Sequence, residues 1–329
     1  MPPTEAGKTK TLNQRIQPVA NKGPQKVAHL ASLVDLRFDH LIGRELGTAV
    51  LLKELARGGM AVVFIAYQKS LKRQIAVKIL PKVLLSPLTG ALFQQEAESA
   101  AILAHPNIVP IYEVGETEDL LFFTMQLVKG LSLQHHIELR RKHLLPSRRI
   151  TPVQESVGII MSCLDALGFA HDQDIIHRDM KPANVLIEQH TGRPMITDFG
   201  VARIARGSEI SASMIVGTPM YMPPEQMRGG EADARADIYS LGIMLFELVA
   251  GRIPVPAFDS SRELLRMKLA LKDRLFQQKA SEMNPSAGPE MDRIILNATA
   301  FDPEKRYRSC REFIRDLDAY RSRHVQKQV

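Results

Sequence analysis

The apolar and polar positions change their period near residue 128. Upstream, Val50–Leu55, Val62–Tyr67 and Ile75–Leu80 are strand-like runs separated by polar or turn-like stretches, the pattern of an antiparallel meander. After Pro81 the period lengthens: Leu92, Phe93, Glu96, Ala97, Ala100 and Leu103 recur at three- and four-residue steps and predict one helix, ended by His105-Pro106-Asn107. Ile108–Val114 and Leu120–Leu127 predict two further strands. Beyond Lys129-Gly130 helical periods dominate. Thr151-Pro152 predicts a helix start, with Thr as the cap and Pro at the first helical position, followed by an apolar stripe through Val157, Ile160, Leu164, Leu167 and Phe169. From Ala232 to about Tyr320 the chain reads as helix interrupted by Pro and Gly. The expected fold class is α+β and bilobal: a small antiparallel-sheet lobe with one main helix (48–128) and a larger helical lobe (129–320), with a cleft between them.

Composition narrows this picture. Of 329 residues, 45% are hydrophobic and 24% charged, as in soluble globular proteins. The most apolar run, Ile238–Ala250, is interrupted by Ser240, Gly242 and Glu247 and reads as a buried helix, so no membrane span is expected. No apolar leader marks the first residues, and a cytoplasmic location is expected. Cys163 and Cys310, lacking metal-ligand spacing, read as buried thiols in a reducing compartment. The net charge of +7 raises nucleic-acid binding, but its distribution argues against it. Residues 1–30 carry net +4, the acid-free 140–149 carries +5 and 321–329 carries +3, which leaves the body at about −5. Residues 1–32 read as a disordered basic segment, 33–47 as a lead-in, 139–149 as a basic insertion and 321–329 as a basic tail.

The chemistry gathers around His177-Arg178-Asp179-Met180-Lys181-Pro182-Ala183-Asn184, where a carboxylate, an ammonium and a carboxamide stand at fixed offsets. Asp198-Phe199-Gly200 follows. Val185-Leu186-Ile187 and Met195-Ile196-Thr197, split by Thr191-Gly192, predict a hairpin that sets Asn184 and Asp198 side by side, as two ligands of a hard cation would stand. That arrangement suggests phosphoryl transfer, and a cleft between lobes suits a nucleotide. Upstream, Ala56-Arg57-Gly58-Gly59-Met60-Ala61 lies between two strands, where glycines let backbone N–H groups approach phosphate; taken alone, Gly58-Gly59 is more often just a hairpin turn. Lys78 in an apolar strand needs a partner if buried, and Glu96 is a candidate.

The order of these elements, closed by Pro223-Pro224-Glu225, resembles the protein kinase family, and more narrowly the bacterial Hanks-type serine/threonine kinases. Further resemblances are His105-Pro106-Asn107-Ile108-Val109, Gly217-Thr218-Pro219-Met220-Tyr221-Met222, Asp237-Ile238-Tyr239-Ser240-Leu241-Gly242 and Asp302-Pro303-Glu304-Lys305-Arg306. The resemblance implies a regulatory enzyme that moves the γ-phosphate of ATP to Ser/Thr hydroxyls of protein substrates, with Mg²⁺ or alternatively Mn²⁺. It implies Asp179 as the group accepting or orienting the hydroxyl proton, Lys181 on the moving phosphoryl group, Asn184 and Asp198 on the metal, and Lys78 on the phosphates with Glu96 positioning it. Ala56, Gly58 and Gly59 would cover the phosphates. Val63 and Ala76 would lie above the adenine and Leu186 below it. Gln126 to Val128 would form the hinge that bonds the adenine edge, after the gatekeeper Met125. His177 and Phe199 would pack together, Asp237 would bond the catalytic-loop backbone, and Glu225 would pair with Arg306. Arg178 would receive a phosphate from the activation segment (198–225), with Ser211 or Ser213 as acceptor and Ser208 the remaining hydroxyl between Gly200 and Gly217. A transient homodimer would serve autophosphorylation. Two departures stand out: Ala56 and Ala61 replace loop glycines, and a positive φ at either would cost about 1–2 kcal/mol. The alternatives are a nucleotide-binding scaffold, which would lack one of Lys78, Asp179, Asn184 or Asp198, and a small-molecule kinase, which would lack Lys181 and the Gly217–Glu225 segment.

Overall fold

A computed structural model describes residues 38–57, 61–84, 97, 98, 100–199, 219–230 and 232–325, all within one compact unit, Ser32–Val329. The N-terminal segment, the first five residues of the lead-in (33–37), Gly58, Gly59, Glu96, Ser208, Ser211 and Ser213 lie outside the described residues.

Six antiparallel strands form the first sheet: β1 (Glu45–Leu46), β2 (Ala49–Arg57), β3 (Val62–Gln68), β4 (Arg73–Pro81), β5 (Ile111–Glu116) and β6 (Leu120–Met125), in the order β1-β2-β3-β4-β6-β5. Its two faces follow from the period of two. In β4, Ile75, Val77 and Ile79 pack with Phe38, Leu41, Phe64 and Phe122 on one face. Ala76 and Leu80 point the other way, with Phe123 and Met125, toward the cleft. Lys78 shares that second parity, so strand geometry alone delivers its ammonium to the cleft side. The predicted strand from Ile108 is shorter than expected and begins at Ile111. Ile108 instead makes a lone parallel bridge to Ile196, with Val109 N donating to Ile196 O at 2.8 Å, and so ties the sheet to the helical lobe. The strand expected to reach Leu127 ends at Met125, because Gln126 N turns away to Pro110 O at 3.0 Å.

The chain then enters a small second sheet, β7 (Gly130–Ser132), β8 (Val185–Glu188) and β9 (Pro194–Ile196), in which β8 and β9 form the predicted hairpin and Gly192 supplies a left-handed φ of 70°. The helices are α1 (Leu133–Arg141), α2 (Val153–His171), α3 (Pro224–Met227), α4 (Arg235–Ala250), α5 (Ser261–Leu271), α6 (Ala280–Met283), α7 (Gly288–Ala298) and α8 (Cys310–Val325). The expected cap at Thr151 is displaced by one residue. Pro152 holds the cap position without a side-chain bond, Thr151 is buried, and Ser156 Oγ returns to Pro152 O at 3.1 Å. Val157, Ile160, Leu164 and Leu167 are fully buried against α4 and α8, and Ala236–Ala250 is buried at every position, as a core helix requires. Pro146–His171 is apolar enough over its length to cross a membrane, with 56% of the relevant window buried inside this fold. Both cysteines are free and buried, as expected.

The basic insertion packs against the helical lobe rather than standing out as a loose charged arm. Arg140 pairs with Glu155 at 2.8 Å, Arg141 reaches Glu247 at 2.6 Å and Gly251 O at 2.9 Å, and Arg149 donates to His143 O at 2.9 Å. Three of its five cations are thus engaged within the fold.

Candidate active site

The hairpin fixes the centre of the site. Thr197 N donates to Asn184 O at 3.0 Å, so the residues entering β8 and leaving β9 lie side by side. Asn184 Nδ2 donates to Asp179 O at 2.8 Å and to Asp179 Oδ2 at 3.1 Å, and Lys181 Nζ donates to the same Oδ2 at 2.7 Å. With its nitrogen spent on Asp179, the Asn184 carboxamide keeps its oxygen as an acceptor. Across from it, Asp198 Oδ1 accepts from Lys78 Nζ at 2.6 Å. Removal from water is the largest influence on Asp198 and pushes its pKa up, yet the charge and hydrogen bond of Lys78 carry it below the ordinary carboxylate value. The carboxylate is therefore ionised at neutral pH.

Asp179 is aimed by a second layer of bonds. Its N–H donates to His177 Nδ1 at 3.2 Å while His177 Nε2 lies 2.9 Å from Thr197 O, so Nε2 carries the hydrogen and the ring bridges the catalytic loop to the end of β9. Phe199 packs on that ring at a tilt of 56°, with centroids 4.7 Å apart. Beneath, the fully buried Asp237 accepts from His177 N at 2.9 Å, Arg178 N at 2.8 Å and His171 Nε2 at 2.8 Å. Burial raises the Asp237 pKa, and the His171 hydrogen bond and charge more than reverse it, leaving the carboxyl below its usual range. These bonds hold Arg178 at φ 64°, a left-handed conformation also found at Asp198. A non-glycine residue keeps such a φ only where its surroundings impose it.

The nucleotide side of the cleft is one apolar cluster. Val63, Leu127, Val128 and Leu186 pack around Ala76, Met125 and Met195. The expected adenine contacts Val63, Ala76 and Leu186 therefore come together beside Gln126 and Val128, and the Gln126 N–H is already spent on Pro110 O, which leaves its carbonyl to face a ligand. Ala56 pairs with Val63 across β2 and β3 and has no positive φ, so the strain anticipated at Ala56 is absent. Lys78 meets Asp198 among the described residues, while its expected partner Glu96, like Gly58 and Gly59, lies outside them.

Glu225 and Arg306 form the expected pair, bidentate at 2.7 and 2.8 Å. Sequence reasoning did not reach His171, Arg141, Glu247 or Lys268. Glu247 accepts from both Arg141 and the Tyr221 hydroxyl, and Lys268 binds three carbonyls of the segment 219–222. Their partners lie 26 to 106 residues away, and no local pattern marks such contacts.

Residues 50–316 match the protein kinase domain family. The serine/threonine-protein kinase PrkC of Bacillus subtilis is 37% identical over 281 residues, covering 84% of this chain and 41% of that protein. The serine/threonine-protein kinase PknB of Mycobacterium tuberculosis is 34% identical over 271 residues, covering 80% and 41%. This chain thus spans about two fifths of the length of the curated relatives it matches. Among solved structures, the kinase domain of PknI from M. tuberculosis superposes with a TM-score of 0.67 at 26% identity, covering 85% of this chain and 98% of that one.

Proposed function

Because this chain belongs to the protein kinase family, we propose that it is a serine/threonine protein kinase that transfers the γ-phosphate of ATP to hydroxyls of protein substrates, itself among them. The observation that carries the reading is the meeting of Asp179, Lys181 and Asn184 at 2.7 to 3.1 Å beside the Lys78–Asp198 pair. Asp179 is positioned to accept the proton of an attacking hydroxyl, and Lys181 to neutralise charge on the group in transit. The resemblance also implies that a lysine at this position marks serine/threonine kinases as opposed to tyrosine kinases. Lys78, held by Asp198 at 2.6 Å, would bind the α- and β-phosphates.

Asn184 and Asp198 suit Mg²⁺: one ionised carboxylate and one amide oxygen are hard donors, and so small a protein set matches an ion that keeps water and phosphate oxygens as its other ligands. When bound, that ion would offset phosphate charge. Manganese has the same ligand preference. Val63, Ala76 and Leu186, with the Gln126 carbonyl, supply the adenine slot. Arg178 is the candidate receiver of a phosphate on Ser211 or Ser213, and modification between copies would require a transient homodimer.

The test is phosphate incorporation from radiolabelled Mg·ATP by the protein alone and with a generic protein substrate. Wild type should label both itself and the substrate. Asp179→Ala should fall by at least about 100-fold while still binding ATP. Equal labelling by the two proteins, or none by either, would overturn the enzymatic reading in favour of a nucleotide-binding scaffold. Mapping the labelled residues then checks Ser211 and Ser213.

A further inference from the structure

Lys268, in the middle of α5, is buried to 1% exposure. A lysine removed from water ordinarily pairs with a carboxylate or gives up its proton. Its ammonium instead faces three backbone carbonyls, Pro219 O at 3.3 Å, Met220 O at 2.7 Å and Met222 O at 2.6 Å. Glu225, the acid whose charge reaches it, is committed to Arg306 by two hydrogen bonds. The Tyr239 ring lies under the nitrogen at 5.1 Å and favours the cation. Three acceptors around one nitrogen match the three N–H bonds of an ammonium, whereas a neutral amine has two and a lone pair that would face the third carbonyl. Burial and the like charge of Arg306 draw the Lys268 pKa well below the ordinary lysine value.

This costly placement serves a segment with no regular structure of its own. Residues 219–222 form neither helix nor strand. Their remaining anchors come from α4, where Ser240 Oγ donates to Tyr221 O at 2.9 Å and Glu247 accepts from the Tyr221 hydroxyl. An apolar side chain of similar length would fill the volume of Lys268 at lower electrostatic cost, since replacing a buried charge by packed hydrocarbon is often neutral or stabilising. What the ammonium adds is direction: it fixes the carbonyls of Pro219, Met220 and Met222, while Ser240 holds that of Tyr221. The segment lies between Thr218 and Pro223-Pro224-Glu225, and the resemblance to the protein kinases implies that Gly217–Glu225 is where a peptide substrate docks.

We propose that Lys268 is a positioning residue for protein substrates, fixing the backbone of Pro219–Met222 so that the peptide meets a preformed surface. The inference rests on the kinase reading. It separates binding of peptide from binding of ATP, because Lys268 touches no residue assigned to the nucleotide.

The test compares wild type, Lys268→Met and Lys268→Arg in steady-state kinetics with a serine peptide. Lys268→Met, which keeps the apolar stem and loses the donors, should raise the peptide KM by about tenfold and leave the ATP KM within about twofold. Lys268→Arg, which restores donors and charge, should recover most of that loss. A peptide KM unchanged in Lys268→Met, or peptide and ATP KM rising together, overturns the inference. Should Lys268→Met lack a cooperative melt, the pH profile decides. As pH rises toward the ordinary lysine value, the wild-type peptide KM should rise as Lys268 loses its proton below that value, whereas the Lys268→Arg profile stays flat because a guanidinium does not titrate there. The charged and titratable groups facing Lys268 are Arg306, Glu225 and the Tyr239 phenol, whose pKa burial raises above its ordinary value. Identical profiles overturn the inference. A wild type that transfers no phosphate to any protein fails the kinase reading itself and the inference with it, a result distinct from a working kinase with an indifferent Lys268.

Discussion

At Asp237 a single carboxylate with no solvent exposure accepts three hydrogen bonds, two of them from the consecutive backbone N–H groups of His177 and Arg178. Asp237→Ala would leave those groups without their partner and release the constraint on Arg178, which sits at φ 64°. Each buried donor left unsatisfied costs about 1–3 kcal/mol, so a loss of about 3 kcal/mol or more in urea unfolding is expected, with kcat falling because Asp179 is the next residue along. The folded Asp237 pKa is depressed, so the folded state holds this proton less tightly than the unfolded chain. Its stabilisation is therefore complete above the unfolded value of about 3.9 and is lost as pH falls through the lower folded value. Denaturation midpoints followed from pH about 6 to about 2 should show an acid-side slope that shrinks in Asp237→Asn. The resemblance of Asp237-Ile238-Tyr239-Ser240-Leu241-Gly242 made this carboxylate legible. His171, its other partner, was not, because a histidine at the end of an apolar helix looks the same whether it faces water or a buried acid.

The elements around the site carry two further predictions. Gly130 opens β7, and a Cβ placed there would lie 1.9 Å from Ile187 O, a backbone atom that cannot swing aside. Gly130→Ala should therefore wedge β7 from β8, costing about 1–3 kcal/mol in thermal unfolding and raising the ATP KM, since Leu186 pairs with Ser132 in the same ladder. The hairpin was legible in its alternation and its Thr191-Gly192 turn. The third strand was not, because Gly130–Ser132 is too short to show a period and its pairing is set by contact with a segment more than fifty residues away. Beneath the activation segment, Arg306 is buried, bound twice to Glu225, and donates to Ala300 O and Arg235 O at 2.7 and 3.1 Å. Removing the carboxylate leaves a guanidinium without its counter-charge. Glu225→Ala should cost about 3–5 kcal/mol, and Arg306→Lys should fail to substitute, because an ammonium cannot reproduce the two-pronged contact. A double-mutant cycle over Glu225 and Arg306 measures the coupling.

For the molecule as a whole, the two lobes were legible because a period of two gives way to one near 3.6 at residue 128, and the sheet's cleft-facing parity at Ala76 and Lys78 follows from that period alone. Strand ends such as Ile111 and Met125 were not legible, since each is set by a hydrogen bond to another segment. Cys163 and Cys310 connect the largest helix packing to a property of the entire fold. Cys163 lies inside α2 and Cys310 begins α8, and both are buried in the same core, where burial pushes the Cys163 thiol up to about 12 and Cys310 higher still. In the unfolded chain both ionise near about 8.5. Above that pH the unfolded state has lost protons that the folded state retains, so unfolding releases protons and stability must fall as pH rises toward the folded values. The slope approaches about 1.4 kcal/mol per pH unit for each thiol. Urea midpoints should thus be level around pH about 7.5 and decline above about 9. Cys163→Ala should lower the midpoint near neutrality by leaving a cavity beside α4, yet reduce the alkaline slope by about half. A slope unchanged by that substitution would assign the alkaline loss to the buried tyrosines instead, of which Tyr320 is pushed up to about 12 by burial.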